Sequence, residues 1–160
     1  MTDETKRPRC LTCLRPLRTC ICSLVHPVAN GVELHILQHP LEVHEAKNTG
    51  RLLHLCLNNS QLHIGESFAE HIFQQPNTAI ASAGQDSFYD LLLYPNTPEE
   101  KSLGIIAPPA IDAAKMASSI NNSTLRLWVL DATWRKSRKM LYLNSQLQKM
   151  PRLNLIDPPA

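Results

Sequence analysis

The sequence predicts an α/β fold, a mostly parallel sheet flanked by helices. Three apolar runs carry that expectation, because each is short and β-prone and each stops abruptly, at His39-Pro40, Tyr94-Pro95 and Asp131-Ala132. Stretches with helical spacing stand between them, and strands that alternate with helices favour parallel pairing under helices on both faces. Length agrees, since 160 residues suit one domain of ordinary size with a single core.

Residues 1–31 read as a basic N-terminal segment and 32–160 as the α/β domain. In the first, Cys10, Cys13, Cys20 and Cys22 put four thiols within thirteen positions, interleaved with Arg15 and Arg18. Four thiolates on two tight turns match a tetrahedral zinc site with no position open for catalysis, leaving Arg15 and Arg18 to face a partner. Two disulfides are the alternative, and a reducing compartment disfavours them. The stretch from Met1 to Arg9 is polar and lacks a secretory core, and no apolar run nears the ~20 residues of a membrane span. A cytoplasmic location without membrane attachment is therefore expected.

After Gly31, the run Val32 to Leu37 forms the first expected strand, with His39 at its carboxyl end because the residue before a proline is pushed to extended geometry. Asn48 or Thr49 then caps a helix through Leu57, with Gly50 and Arg51 in its first turn. Such a start leaves backbone N–H groups free for a carboxylate or phosphate, and Gly50 permits close approach of the backbone. Cys56 falls on the apolar side as a small core residue. Gln61 to Ile64 reads as a short strand and Ser67 to Gln74 as a short helix before Pro76. The scattered histidines 35, 39, 44, 54, 63 and 71 form no metal-binding pair on one element.

Thr78 to Ala83 is a small β-tolerant run, Gly84 to Asp86 a turn, and Asp90 to Tyr94 a buried strand stopped by Pro95. A loop covers Asn96 to Ser102, Ile105 and Ile106 are ambiguous, Ala110 to Ser119 is helical, and Asn121 to Thr124 is a polar linker. The last expected strand before a helix, Leu125 to Leu130, delivers Asp131 to the ligand edge of the sheet. Thr133 opens a basic helix with Met140, Leu143 and Leu147 on one side and Arg135, Arg138, Lys139 and Tyr142 on another.

Charge is uneven along the chain although its net value is only +2. Five bases and no acid lie between Thr5 and Gly31; ten acids face three bases from Glu33 to Asp112; eight bases face two acids from Ala113 onward. Two cationic ends around an acidic middle favour a polyanionic partner.

Four signatures together resemble the DTW-domain family of tRNA-uridine aminocarboxypropyltransferases. They are the four cysteines; His39-Pro40-Leu41-Glu42 running into Asn48-Thr49-Gly50-Arg51; Leu93-Tyr94-Pro95; and Asp131-Ala132-Thr133-Trp134. The resemblance implies a SPOUT-related domain with a zinc knuckle. It also implies S-adenosylmethionine as donor and transfer of its 3-amino-3-carboxypropyl arm to N3 of a tRNA uridine, with methylthioadenosine released. Members of that family usually continue past the segment resembling Leu153 to Ile156, so the carboxyl-terminal part of the family fold is expected to be missing here.

On that reading the catalytic residues are Asp131, Thr133 and Trp134. Asp131, the only acid between Lys115 and Ile156, is the base, and Trp134 stacks on the uracil. The structural alternatives are that Asp131 caps the following helix or orients Trp134, and that Trp134 packs in the core. The donor site draws on His39, Pro40, Glu42, Asn48, Thr49, Gly50, Arg51, Tyr94 and Pro95, with Arg51 and the helix start facing the donor carboxylate and Glu42 its ammonium. Arg15, Arg18, Arg135, Lys136, Arg138 and Lys139 would seat tRNA, with no DNA partner expected. Two competing readings are a SPOUT-type RNA methyltransferase and a truncated, non-catalytic RNA-binding module.

Overall fold

The computed structural model describes residues 8–45, 47–74, 88–96, 104–121 and 125–154. Five strands make one sheet: β1 (Glu33–Gln38), β2 (Ser60–Ile64), β3 (Tyr89–Leu93), β4 (Leu125–Asp131) and β5 (Arg152–Leu153), in the order β2-β1-β4-β3-β5. Every pairing is parallel. The helices are α1 (Thr49–Cys56), α2 (Glu70–Gln74), α3 (Ala113–Asn121), α4 (Trp134–Leu143) and α5 (Ser145–Gln148).

Strand order and handedness place the helices. The steps from β1 to β2 and from β3 to β4 cross the sheet in one direction, those from β2 to β3 and from β4 to β5 in the other. Right-handed crossovers then assign α1 and α3 to one face and α2, α4 and α5 to the opposite face. The core agrees, because Leu37, Leu92 and Trp128 pack with Phe73 of α2, Met140 and Leu141 of α4 and Leu147 of α5. On the other face Ile36 and Val129 line a hollow together with Leu52, Leu53 and Cys56 of α1.

A charged cluster ties the sheet below this core. Arg126 and Asp90 are register partners on β4 and β3. The guanidinium donates to both Asp90 oxygens at 2.7 Å and to the Phe73 carbonyl at 2.9 Å, and the Trp128 indole N–H donates to Asp90 Oδ1 at 2.7 Å. Three of these hydrogen bonds, to two acceptor groups, serve a cation that is almost wholly buried, and removing one partner of such a pair costs about 3–5 kcal/mol.

Histidines fill the β1–β2 side as packed residues. His35 is fully buried and stacks on Trp128 with centroids 4.0 Å apart, and His63 lies parallel to it at 5.6 Å. Burial, reinforced by His35, pushes His63 down to about 4. A depressed histidine binds its proton more weakly folded than unfolded, so its contribution is intact above about 6.5 and is lost as pH falls toward 4. The urea midpoint is accordingly expected to drop between pH 7 and pH 5, and His63→Gln to flatten that drop. An unchanged slope in the variant would exclude His63 as its source.

The sequence expectations meet the structure unevenly. The strand and helix order holds, with the last described strand at Arg152–Leu153. One expectation fails at the basic helix, which does not continue to Leu147. Asn144 breaks it, donating to the carbonyls of Met140 at 2.6 Å and Glu66 at 2.8 Å while accepting from the Phe68 N–H at 2.8 Å. Leu143 is therefore 43 % exposed, and Leu141 takes the core position assigned to it. Cys56 lines a half-open apolar hollow, not the closed core. Ile105 is buried and Ile106 exposed. The expected run 78–83, turn 84–86, loop beyond Asn96, linker 122–124 and residues 155–156 lie outside the described residues. Among those described, no helix is long and apolar enough to cross a membrane.

Candidate active site

Because β1, β4 and β3 are adjacent and parallel, their carboxyl ends share one edge. The His39 N–H donates to the Asp131 carbonyl at 3.0 Å, continuing the ladder one residue past β1. Glu42, Asn48, Thr49, Asp131 and Thr133 line a cleft of about 260 Å³ at that edge, together with Glu45, Lys47 and Ala132. A second, apolar hollow of about 470 Å³ lies between α1 and the sheet and shares Thr49 and Asp131 with the first.

The first turn of α1 and the end of β4 touch at Gly50. A Cβ there would run into the Asp131 carboxylate, 2.8 Å from its Cγ, so only glycine admits this approach. Asn48 caps the helix, its Oδ1 accepting from the Arg51 N–H at 2.8 Å and its Nδ2 donating to the carbonyls of Glu42 and Val43 at 3.0 and 3.1 Å. Gln38 Nε2 donates to Asp131 Oδ2 at 2.6 Å and to Asn48 Oδ1 at 3.0 Å. Asp131 does not cap α4, whose N-cap residue is the exposed Thr133.

His39 is buried and ordered on both ring nitrogens. Nδ1 accepts from the Leu41 N–H at 3.1 Å, which fixes the tautomer with the proton on Nε2, donated to Glu66 Oε1 at 2.6 Å. Pro40 then opens the short turn Pro40–Glu42. Lys139 binds the other Glu66 oxygen at 2.7 Å, and Lys139 first and His39 second hold the Glu66 carboxyl below its usual range. Lys136 likewise donates to Glu42 Oε1 at 2.8 Å.

These contacts redistribute several expected roles. Lys136 and Lys139 are engaged within the edge by Glu42 and Glu66, so both lysines serve the site before any RNA. Glu42 already has a cation, and Arg51 Nε donates to the Thr12 carbonyl at 3.0 Å, toward the cysteines. Arg18 and Arg135 are exposed, Arg15 and Arg138 half-buried. Trp134 is 47 % exposed and stacks on Tyr94 with centroids 5.3 Å apart and rings within 10° of parallel. Arg152 lies over the same Tyr94 ring at 5.1 Å, and exposed Pro95 follows it. Sequence reasoning missed Gln38 and Glu66. A buried amide one residue before His39-Pro40 was a usable signal for the first, whereas Glu66, between Gly65 and Ser67, looks like any surface acid.

The four cysteines converge, with all four Sγ atoms within 4.8 Å of one another. Cys10 and Cys22 are 3.6 Å apart and Cys13 and Cys20 3.7 Å. A tetrahedron with ~2.3 Å arms has edges of about 3.8 Å, so the donor set fits zinc. Backbone N–H groups of Cys13 and Thr12 bring Cys10 down to about 6, and the hydrogen bond with Cys10 pushes Cys22 up to about 12. That opposition between crowded sulfurs is what a bound dication removes. Among the described residues this is the one group of three or more metal-ligating side chains. Hydrogen bonds of Val28 with Cys56 and Asn58, and of Asn30 with Asn59, pin the other end of the N-terminal segment beyond α1.

The chain is 28 % identical over 147 residues to tRNA-uridine aminocarboxypropyltransferase 2 of Macaca fascicularis, covering 88 % of this chain and 43 % of that protein. The protein of the same name from Mus musculus is 29 % identical over 151 residues, covering 92 % and 45 %. tRNA-uridine aminocarboxypropyltransferase A of Arabidopsis thaliana is 27 % identical over 148 residues, covering 88 % and 54 %. The chain thus spans about half the length of the curated relatives it matches. No solved structure matches it significantly. The family model for the DTW domain matches residues 7–160, nearly the whole sequence, and the chain belongs to the DTW domain family.

Proposed function

We propose that the chain transfers the 3-amino-3-carboxypropyl arm of S-adenosylmethionine to N3 of a tRNA uridine, releasing methylthioadenosine. The observation that carries the reading is the placement of Asp131, packed on Gly50 at the capped start of α1 in a cleft where β1 and β4 end. The relatives' names supply the transferred group and the tRNA uridine, the family resemblance supplies the donor and the N3 position, and the cleft supplies a candidate base beside a polar pocket. Asp131 accepts the N3 proton, the N3 electron pair bonds the donor carbon, and the C–S bond breaks with its electrons on sulfur. The leaving group is a neutral thioether, so positioning and one base suffice.

Glu42, Asn48, Thr49 and Thr133 surround the donor's amino acid arm, with His39, Pro40, Gly50 and Arg51 shaping that wall. The apolar hollow beyond Asp131 suits the nucleoside half in a SPOUT-type pocket. Trp134, backed by Tyr94 and followed by Pro95 on its strand, offers its open side to the uracil. Arg15, Arg18, Arg135 and Arg138 contact tRNA phosphates, so binding weakens with salt. Cys10, Cys13, Cys20 and Cys22 hold zinc, which supplies a structural crosslink in a reducing, cytoplasmic setting.

The test is incubation of the full chain with tRNA and S-adenosylmethionine labelled in the carboxyl carbon of its methionine half. Label in uridine with methylthioadenosine as by-product is expected, and Asp131→Asn should lower the rate by roughly 10²–10⁴-fold. Methylated uridine with S-adenosylhomocysteine would overturn the transfer, and salt-sensitive tRNA binding without any turnover would identify a binding module.

A further inference from the structure

We propose that Gln38 is a positioning residue for Asp131, holding Oδ2 so that Oδ1 is the oxygen that takes the proton. The inference rests on the role proposed above for Asp131, and it follows from the direction of every hydrogen bond between α1 and that carboxylate. The Arg51 backbone N–H can only donate, so the Asn48 atom it meets at 2.8 Å is the oxygen. The Asn48 nitrogen then faces the carbonyls of Glu42 and Val43, two acceptors that confirm the same orientation. Asn48 Oδ1 therefore requires a donor from Gln38 at 3.0 Å, and the same NH₂ reaches Asp131 Oδ2 at 2.6 Å. A backbone amide in α1 thus dictates, through two side chains, that Oδ2 accepts.

The other end of the Gln38 amide shows the cost of this arrangement. Gln38 is fully buried and its Oε1 has no hydrogen-bond partner among the described residues. Turning the amide over would not help, because oxygen would then face two acceptors. An unpartnered buried carbonyl is unfavourable, and it persists here because a donor is needed on Asp131. Gly50 lies against the same carboxylate, with Oδ2 the atom nearest its Cβ direction. Oδ1 receives no hydrogen bond from the described residues. In the proposed reaction the N3 proton moves to Oδ1, while Gln38 keeps its own protons.

Gln38→Met preserves length and removes the donor. In the full chain with tRNA and S-adenosylmethionine, kcat is expected to fall roughly ten- to hundredfold, the range of a charge-assisted hydrogen bond, with both KM values within about twofold. Equal kcat, or a loss confined to KM, would overturn the inference. A second measurement needs neither turnover nor a folded Gln38 variant. The Gln38 side-chain amide signal of the unliganded wild type should be downfield and slow to exchange, and should move upfield and exchange faster in Asp131→Ala. An amide signal indifferent to Asp131→Ala sinks the inference whatever the activity. A wild type that transfers nothing, with the amide response intact, overturns the proposed function and leaves the hydrogen-bond assignment standing.

Discussion

Cys13→Ser is expected to release the metal and unfold the knuckle while the sheet survives. Cys13 is the buried member of the four, and its Sγ lies 3.7 Å from that of Cys20, so the variant removes a ligand from the enclosed side of the cluster. Structural zinc contributes apparent binding energies of about 10–16 kcal/mol in small finger peptides, far more than the few contacts of this segment can replace. Wild-type protein should carry close to one zinc per chain by elemental analysis. Cys13→Ser, or wild type treated with a strong chelator, should lose it together with amide dispersion for residues 8–24. The principal core contains no cysteine, which is why the domain should keep its near-ultraviolet signature from Trp128. Arg51 would lose the ordered Thr12 carbonyl, so donor affinity should weaken as well. Metal-free wild type with an ordered N-terminal segment would show that the cysteines pack without an ion.

Gly50→Ala is expected to lower transfer by about a hundredfold or more and to destabilise the chain by about 1–3 kcal/mol, the usual cost of forcing an extra carbon into a filled space. Alanine is the better helix former by up to ~1 kcal/mol, so on an exposed first turn the substitution would stabilise. Here the sign reverses, because the added Cβ meets the Asp131 carboxylate and either α1 or the end of β4 must move. Motion of a base by an ångström costs on the order of 10²-fold in rate. Gly31→Ala is the matched control, since nothing lies within 4 Å of its Cβ position. A Gly50→Ala protein with wild-type rate and a raised melting temperature would show that the contact is permissive.

The fold was legible because its signals are local. An apolar run stopped by proline or by an acid marks a strand's carboxyl end, and parallel order turns three such ends into one edge, so His39, Tyr94 and Asp131 could be placed together without coordinates. The four cysteines were legible for the same reason, being thirteen positions of chain closed on themselves. What escaped depends on partners far apart in sequence. Nothing about Gly50 announces a carboxylate 81 positions later, and nothing in a basic helix announces that Lys136 and Lys139 pair with Glu42 and Glu66. The helix break at Asn144 escaped because Met140 and Leu147 keep their periodicity across it, while the competing hydrogen bonds come from the Glu66–Phe68 loop.

The position of β1 in the sheet has a consequence for synthesis. This strand is buried along its whole length and lies between β2, which follows at once, and β4, whose Asp131 is 93 positions beyond Gln38. At about 5–20 residues per second a ribosome needs roughly 5–20 s to make that interval. Once β2 has emerged, the nascent β1–α1–β2 unit leaves the β1 edge unpaired until β4 covers it, in addition to the outer edge of β2, which ends the described sheet. The edge that brings Gln38 to Asp131 therefore closes late, before only the pairing of β5 with β3, and the interval in which it stands open is when the new chain is most exposed to aggregation or to capture by a chaperone.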